Sequence, residues 1–171
     1  MIKFKSILAV AVLAVAAMLF TSQAHAQRNA YGGLYVLDGA TTQALATAAA
    51  KLTAFTTVTE SSTQDGSIVP SVSGDNIALL ANGVYLIHLD VTASVGTADI
   101  QVTYALRNGS TAIAGAECRH EGEAADVPSN ASLTWIYKPT AAATLNVYVE
   151  SESSTPNLTV IDAQLVVVRL Q

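Results

Sequence analysis

The amino-acid sequence predicts an all-β domain built as a sandwich or a barrel. Charged residues make up only 12% of the 171 residues. Short runs of alternating polar and apolar residues are separated by clusters of Gly, Asn, Asp and Pro, which is typical of antiparallel β-structure. Strands are expected at residues 33–37, 52–59, 77–80, 84–91, 99–106, 111–119, 132–137, 144–150 and 159–170.

The first 26 residues are predicted to be a secretory signal of bacterial type. A basic start, MIKFK, is followed by the apolar run SILAVAVLAVAAMLF, which is too short to span a membrane comfortably, and then by an Ala-x-Ala site. We expect cleavage after Ala26, which leaves residues 27–171 as a single domain. The protein is therefore expected to be secreted, without membrane insertion after signal removal, and to reside in the extracellular space, at the cell surface or in the periplasm.

The processed chain is predicted to be acidic. Lys3 and Lys5 leave with the signal while all thirteen acids remain, so 6 basic and 13 acidic groups give a net charge of about −7. A field of one sign disfavours nucleic acid and anionic membrane as partners, and it suits either solubility or a cationic ligand. Cys118 is the single cysteine, so no internal disulfide can form. We interpret it as a small buried hydrophobe, the alternative being a reactive or intermolecular thiol.

One early segment and two tight turns complete the local predictions. Between residues 41 and 55 the apolar residues occur at helical spacing, with a threonine available as a cap. A short helix near 41–54 and an extended segment are both open possibilities. Tight turns are expected at Asn82-Gly83 and Asn108-Gly109, because Asn and Gly tolerate positive φ.

The predicted strands differ in how many of their faces are apolar. Residues 99–107 and 145–150 have one apolar and one polar face, as in an antiparallel sheet with a solvated side. Four other runs are apolar on both faces: 33–37, 84–89, 133–137 and 164–170. Because at most one short helix is predicted, a second subunit is the expected cover for the extra face. The four runs are therefore predicted to lie in one sheet that forms an oligomer.

The stretch NGVYLIHLDV at residues 82–91 shows how the two faces divide. Alternation places Tyr85, Ile87, Leu89 and Val91 toward the core and the residues between them on the other face. Together with the other two-sided runs, this predicts an interface formed by Val84, Leu86, His88, Trp135, Tyr137, Val166 and Val168.

Several stretches in this order carry a family resemblance. GVYLIHLDVTAS is followed by the turn LRNGSTAIAG, by SLTWIYKPTAAATLNVYVES and by the closing run QLVVVRL. Gly83 and Tyr85 form a Gly-x-Tyr, and residues 107–109 form an Arg-Asn-Gly turn. The pattern resembles the tumour-necrosis-factor and complement-globular-head superfamily over nearly all of residues 27–171.

The resemblance implies a ten-stranded jelly-roll β-sandwich that forms homotrimers. Its first, third, sixth and last main strands would form the inner sheet at the threefold axis, and they correspond to the four two-sided runs. Pro139-Thr140-Ala141 stands where the family has a Gly-Asp turn, and VIDAQLVVV replaces an aromatic-Ser-Gly-aromatic run. The sequence looks closer to bacterial or phage fibre heads than to animal cytokines.

Two groups of polar residues are candidates for metal binding. Glu117, Glu121, Glu123 and Asp126 could supply oxygen ligands to Ca²⁺, the alternative being a solvated acidic loop. Cys118 and His120 would share a strand face and have the ligand types of zinc or copper, although two ligands are too few alone.

Catalysis is not predicted. His88 and Asp90 share a face, but the G-x-S-x-G motif of a nucleophile elbow is absent. The expected function is a non-enzymatic structural or binding module in a surface fibre, matrix or adhesive head, with an unknown surface protein or glycan as ligand. The alternatives are a filament subunit that adds QRNAYGGLYVL to a neighbour's sheet edge, and a jelly-roll hydrolase.

Overall fold

The computed structural model describes residues 30–59, 66–153 and 156–171, and the predicted signal at residues 1–26 lies outside this part of the chain. The regular structure within it consists of strands. They are β1 (Tyr31–Val36), β2 (Thr41–Ala44), β3 (Ala50–Lys51), β4 (Thr57–Val58), β5 (Ile68–Ser71), β6 (Asn76–Leu79), β7 (Tyr85–Val95), β8 (Ile100–Asn108), β9 (Thr111–Gly122), β10 (Ser129–Tyr137), β11 (Ala143–Ser151) and β12 (Asn157–Arg169).

The strands form two antiparallel sheets that pack as a sandwich. The first sheet has the order β10-β7-β12-β1-β4, with β2 also paired to β12. The second sheet has the order β5-β6-β11-β8-β9, with β3 also paired to β11. All strand pairings within the two sheets are antiparallel, which confirms the predicted all-β sandwich.

The four runs that are apolar on both faces occupy neighbouring strands of the first sheet, as predicted. They lie in β1, β7, β10 and β12, while the two one-sided runs lie in β8 and β11 of the second sheet. The residues of β7 assigned to the core, Tyr85, Ile87, Leu89 and Val91, are all fully buried. They pack with Tyr104, Leu106 and Leu145 of the second sheet in one hydrophobic cluster.

The possible helix near residues 41–54 is absent, because this segment crosses from one sheet to the other in extended form. β2 pairs with β12 and β3 pairs with β11. The side chain of Gln43 closes the crossing: its Nε2 donates to the Lys51 carbonyl at 2.9 Å, and its Oε1 accepts from the Thr53 N–H at 3.2 Å. Leu45 and Leu52 are buried from this extended backbone, so their spacing reflects two sheets and not a helical face.

Both predicted tight turns are present. Asn82 has a φ of 61°, and the ring of Tyr85 folds back over Gly83 so closely that a Cβ at Gly83 would stand 2.6 Å from Cζ of Tyr85. The Tyr85 hydroxyl donates to the Leu80 carbonyl at 3.0 Å. The Gly-x-Tyr pattern therefore has a steric reason. The turn from β8 to β9 begins at Gly109, which has a φ of 60°.

Candidate functional site

The side of the first sheet that faces away from the core, called here the outer face, is polar at one end and apolar at the other. Strand register places side chains from β1, β12, β7 and β10 in rows across it. The first row is Tyr31, Val168, Leu86 and Ile136. The second is Gly33, Val166, His88 and Thr134. The third is Tyr35, Gln164, Asp90 and Ser132, and the fourth is Asp162, Thr92 and Asn130.

The apolar end of the outer face consists of Tyr31, Leu86, Ile136, Val166 and Val168. Ile136 is 63% exposed and Tyr31 is 45% exposed, although both lie in regular strands. No described element of the same chain packs over these two side chains, and contiguous exposed apolar surface on a folded domain typically marks an interaction site.

The structure brings most of the predicted interface residues together on this face. Leu86, His88, Val166 and Val168 occupy adjacent positions of the first two rows. Val84 precedes β7 in the same alternation, and its backbone N–H donates to the Gln171 carbonyl at 2.9 Å. That these residues contact another subunit remains a prediction.

Trp135 and Tyr137 lie on the other face of β10 from the rest of the predicted interface. They pair with Ile87 and Tyr85 of β7 and pack against the hydrophobic core. The outward positions of β10 are instead held by Thr134 and Ile136, which the sequence-based prediction missed. A signal was available, because Leu133, Trp135 and Tyr137 form the wholly apolar face of this strand, and the wholly apolar face is the one that enters a core.

The possible catalytic pair is not arranged for proton relay. His88 Nδ1 lies 3.0 Å from Oγ1 of Thr134, so its in-sheet partner is a hydroxyl. The Asp90 carboxylate instead accepts a hydrogen bond from Asn130 Nδ2 at 2.7 Å. A Ser-His-Asp arrangement needs the carboxylate on the imidazole, which this geometry does not provide.

The polar end of the outer face contains a groove of about 480 Å³. A β-bulge creates part of it: the register of β12 against β7 shifts between Val160 and Asp162. Val160 faces the core before the bulge, while Asp162 faces outward after it. The groove is lined by Tyr35, Leu37, Thr59, Asp90, Thr92, Asp162, Ala163 and Gln164.

The turn after β1 is held against this bulge. The Gly39 N–H donates to the Ile161 carbonyl at 2.7 Å, and the Asp38 N–H donates to Oδ1 of Asp162 at 3.0 Å. A Cβ at Gly39 would stand 2.9 Å from the Val160 carbonyl oxygen, so only glycine permits this approach. Sequence reasoning missed the groove because a bulge and a distant turn must combine to form it.

The acidic residues proposed for Ca²⁺ are not gathered into a site. Glu117 is exposed on β9 and forms an ion pair with Arg119 at 2.9 Å. Glu121, also on β9, and the following Glu123 and Asp126 are exposed. Within residues 30–59, 66–153 and 156–171, no three His, Cys, Asp or Glu side chains are placed to hold a metal ion together.

Cys118 and His120 share the inward face of β9, as predicted, and lie beside Tyr104. The His120 ring is 7% exposed, neither of its nitrogens has a hydrogen-bond partner, and its centroid lies 5.6 Å from that of Tyr104. Burial lowers the pKa of His120. Burial, with the charges of Asp90 and Glu117, raises the pKa of the Cys118 thiol to about 11. Both groups are therefore neutral near pH 7.

Among the described residues, no helix is long and apolar enough to cross a bilayer.

Comparison with known proteins identifies the fold. No protein-family model and no curated protein matches the chain. The chain is similar to the structure of Eiger TNF from S. frugiperda, with a TM-score of 0.57 and 12% identity over 83% of this chain and 92% of that one. It is similar to murine APRIL at pH 5.0, with a TM-score of 0.56 and 12% identity over 84% and 100% of the two chains.

A third similar structure is the globular domain of zebrafish complement 1qA, with a TM-score of 0.55 and 9% identity over 84% of this chain and 98% of that one. At such low identity the similarity establishes the jelly-roll fold and not a shared activity. The specific resemblance to bacterial or phage fibre heads stays a prediction.

Proposed function

We propose that the chain is a secreted, non-catalytic structural or binding module that assembles as a homotrimer through the apolar end of its outer face. Its place would be extracellular, at the cell surface or in the periplasm, for example in a fibre, matrix or adhesive head. The observation that carries the proposal is the row of Tyr31, Val168, Leu86 and Ile136 on a sheet surface that no described part of the chain covers.

The energy available at this surface favours association. Full burial of an isoleucine contributes about 1.5–3 kcal/mol. Since Ile136 retains 63% of its exposure, covering it contributes about 1–2 kcal/mol per chain, or about 3–6 kcal/mol in a trimer. The neighbouring Tyr31, Leu86 and Val168 add to this, whereas the polar third and fourth rows do not. The contact is therefore expected to centre on the first two rows.

Strand pairing favours a closed assembly over the filament alternative. β1 pairs along its whole length with β12 of the same chain, from Tyr31 with Val168 to Val36 with Ala163. This segment is therefore already part of its own sheet and is not free to complete a neighbour's sheet in this conformation. The resemblance noted in the sequence implies trimers, which is the basis for choosing three copies.

The test is size-exclusion chromatography with light scattering on the full chain, expressed so that its own signal is processed. Intact mass spectrometry should first give the mass of residues 27–171, which tests cleavage after Ala26. Three proteins are compared: wild type, Ile136→Asp, and Val69→Asp. Val69 is a matched control because it is an exposed β-branched residue, 46% exposed, on β5 of the other sheet.

Wild type and Val69→Asp should elute with three times the chain mass, and Ile136→Asp should elute as a folded monomer because three carboxylates would meet in the contact. Circular dichroism confirms that both variants keep the β fold. A monomeric wild type at micromolar concentration, or an Ile136→Asp trimer as stable as wild type, would overturn the proposed assembly.

A further inference from the structure

We propose that the groove at the polar end of the outer face binds an amphipathic organic cation, namely a primary amine or guanidinium group on an aliphatic stem. The proposal starts from a formed cavity. Its volume of about 480 Å³ lies within the range of small-molecule sites in proteins. It is formed by one chain, so it does not depend on the proposed trimer.

The walls of the groove suit the stem of such a ligand. Tyr35 and Leu37, which lie on the outer face beside the groove, provide an aromatic ring and an isobutyl group. Leu37 is 67% exposed, which leaves it open to contact with a ligand. A hydrated metal ion gains nothing from these apolar walls, whereas an aliphatic chain buries surface against them.

The charges of the groove suit the head group. Asp90 and Asp162 lie in adjacent rows on neighbouring strands, β7 and β12, in a diagonal arrangement. Diagonal neighbours have Cβ atoms about 7 Å apart, so one cationic group can lie between the two carboxylates. The ion pair found in the described residues joins Arg119 to Glu117 on the second sheet, so no basic side chain of the described residues neutralises either groove carboxylate. A cation placed between them would relieve their mutual repulsion.

The carboxylates are also held in place for binding. Asp90 Oδ1 accepts from Asn130 Nδ2, and Asp162 Oδ1 accepts from the Asp38 N–H. A carboxylate has about four acceptor positions, so each retains capacity for the N–H groups of an ammonium or guanidinium. The Tyr35 ring adds a face that attracts cations. Gln164 and Thr92 lie between these groups and offer further oxygen acceptors.

The experiment uses butylguanidinium as probe and butylurea as its neutral analogue of the same shape. Each is titrated into the full-length processed protein labelled with ¹⁵N, and backbone amide shifts are followed. Butylguanidinium should give saturable shifts at residues around the groove, and butylurea should bind at least tenfold more weakly. The double variant Asp90→Asn, Asp162→Asn should weaken butylguanidinium binding about tenfold, because two charge-assisted hydrogen bonds are lost.

The matched control is Asp99→Asn, which removes one exposed carboxylate outside the groove and should leave the affinity within twofold of wild type. Equal binding of butylurea, unchanged binding by the double variant, or saturable binding of Ca²⁺ in place of butylguanidinium would overturn the proposal. Repeating the titration on Ile136→Asp separates the two proposals. If a monomeric Ile136→Asp variant still binds butylguanidinium, the groove binds the cation without the trimer. If wild type binds butylguanidinium but is itself a monomer, the groove proposal is supported and the trimer proposal is overturned.

Discussion

Replacing His120 by phenylalanine should stabilise the protein. His120 is buried on β9, and neither ring nitrogen has a hydrogen-bond partner. A buried polar group without a partner costs about 1–3 kcal/mol. Phenylalanine removes both nitrogens and keeps the aromatic contact with Tyr104, whose ring centroid lies 5.6 Å away. Because the phenyl ring is larger than imidazole, packing strain offsets part of the gain, and we expect a net stabilisation of about 1–2 kcal/mol.

The gain should grow as the pH falls. Burial holds the pKa of folded His120 below its ordinary value of 6.5, so the unfolded chain binds the proton more readily than the folded one. The stability associated with neutral His120 is therefore present above about pH 6.5 and is lost as the pH falls below it. Phenylalanine has no proton to bind, so the difference between His120→Phe and wild type should be larger at pH 5 than at pH 8.

Urea unfolding at fixed protein concentration, followed by circular dichroism at pH 8 and pH 5, measures this difference. Tyr104→Phe is the companion variant, since the fully buried Tyr104 hydroxyl also has no hydrogen-bond partner. We expect it to stabilise by about 1 kcal/mol, with no added pH dependence over this range. If His120→Phe is less stable than wild type at pH 5, or if its advantage is the same at both pH values, the imidazole has partners and this reasoning fails.

Two further predictions concern the turn before β7 and the single thiol. Gly83→Ala should lower the free energy of unfolding by about 1–3 kcal/mol, because its Cβ would press on the buried Tyr85 ring at 2.6 Å. Gly96→Ala is the control: its Cβ would have no neighbour closer than 3.8 Å, so its free energy of unfolding should stay within about 0.5 kcal/mol of wild type. Equal unfolding midpoints for the two variants would contradict the steric account of the Gly-x-Tyr pattern. Cys118 should react slowly with a thiol reagent at pH 8, because a pKa of about 11 leaves about one thiol in a thousand as thiolate. In denaturant the thiol should become fully reactive. Rapid reaction of the folded protein would contradict the prediction by showing that the thiol is activated.

The sheet assignment could be predicted from the sequence because it depends on local alternation. A strand that is apolar on both faces must pack against protein on both sides. This rule groups residues 33–37, 84–89, 133–137 and 164–170, and the structure places them in neighbouring strands of one sheet. Alternation along the same strand also separates Trp135 and Tyr137, which pack toward the core, from Thr134 and Ile136 on the outer face.

Features that depend on distant pairing could not be predicted in this way. Thr41–Ala44 is a strand because it pairs with β12. The side-chain hydroxyls of Thr42 and Thr159, which meet in this pairing, are 117 positions apart in the sequence. The bulge at Ile161 has no residue signature, yet it decides that Asp162 faces outward. The groove needs this bulge and the turn at Asp38-Gly39 together. Such a site is invisible to spacing rules that treat each strand alone.

The outer face changes from apolar at one end to polar at the other, so an assembly formed through it would have two different ends. Ala30 accepts a hydrogen bond from Arg169, and Gln171 accepts one from Val84, so both of these residues lie beside the row of Tyr31 and Val168. In the proposed trimer, the first rows of the three chains would meet at one level of the axis. Ala30 and Gln171 of all three chains would then lie at the same pole of the particle. The three acidic grooves would lie together toward the opposite pole, so cations would be bound at one end of the particle only.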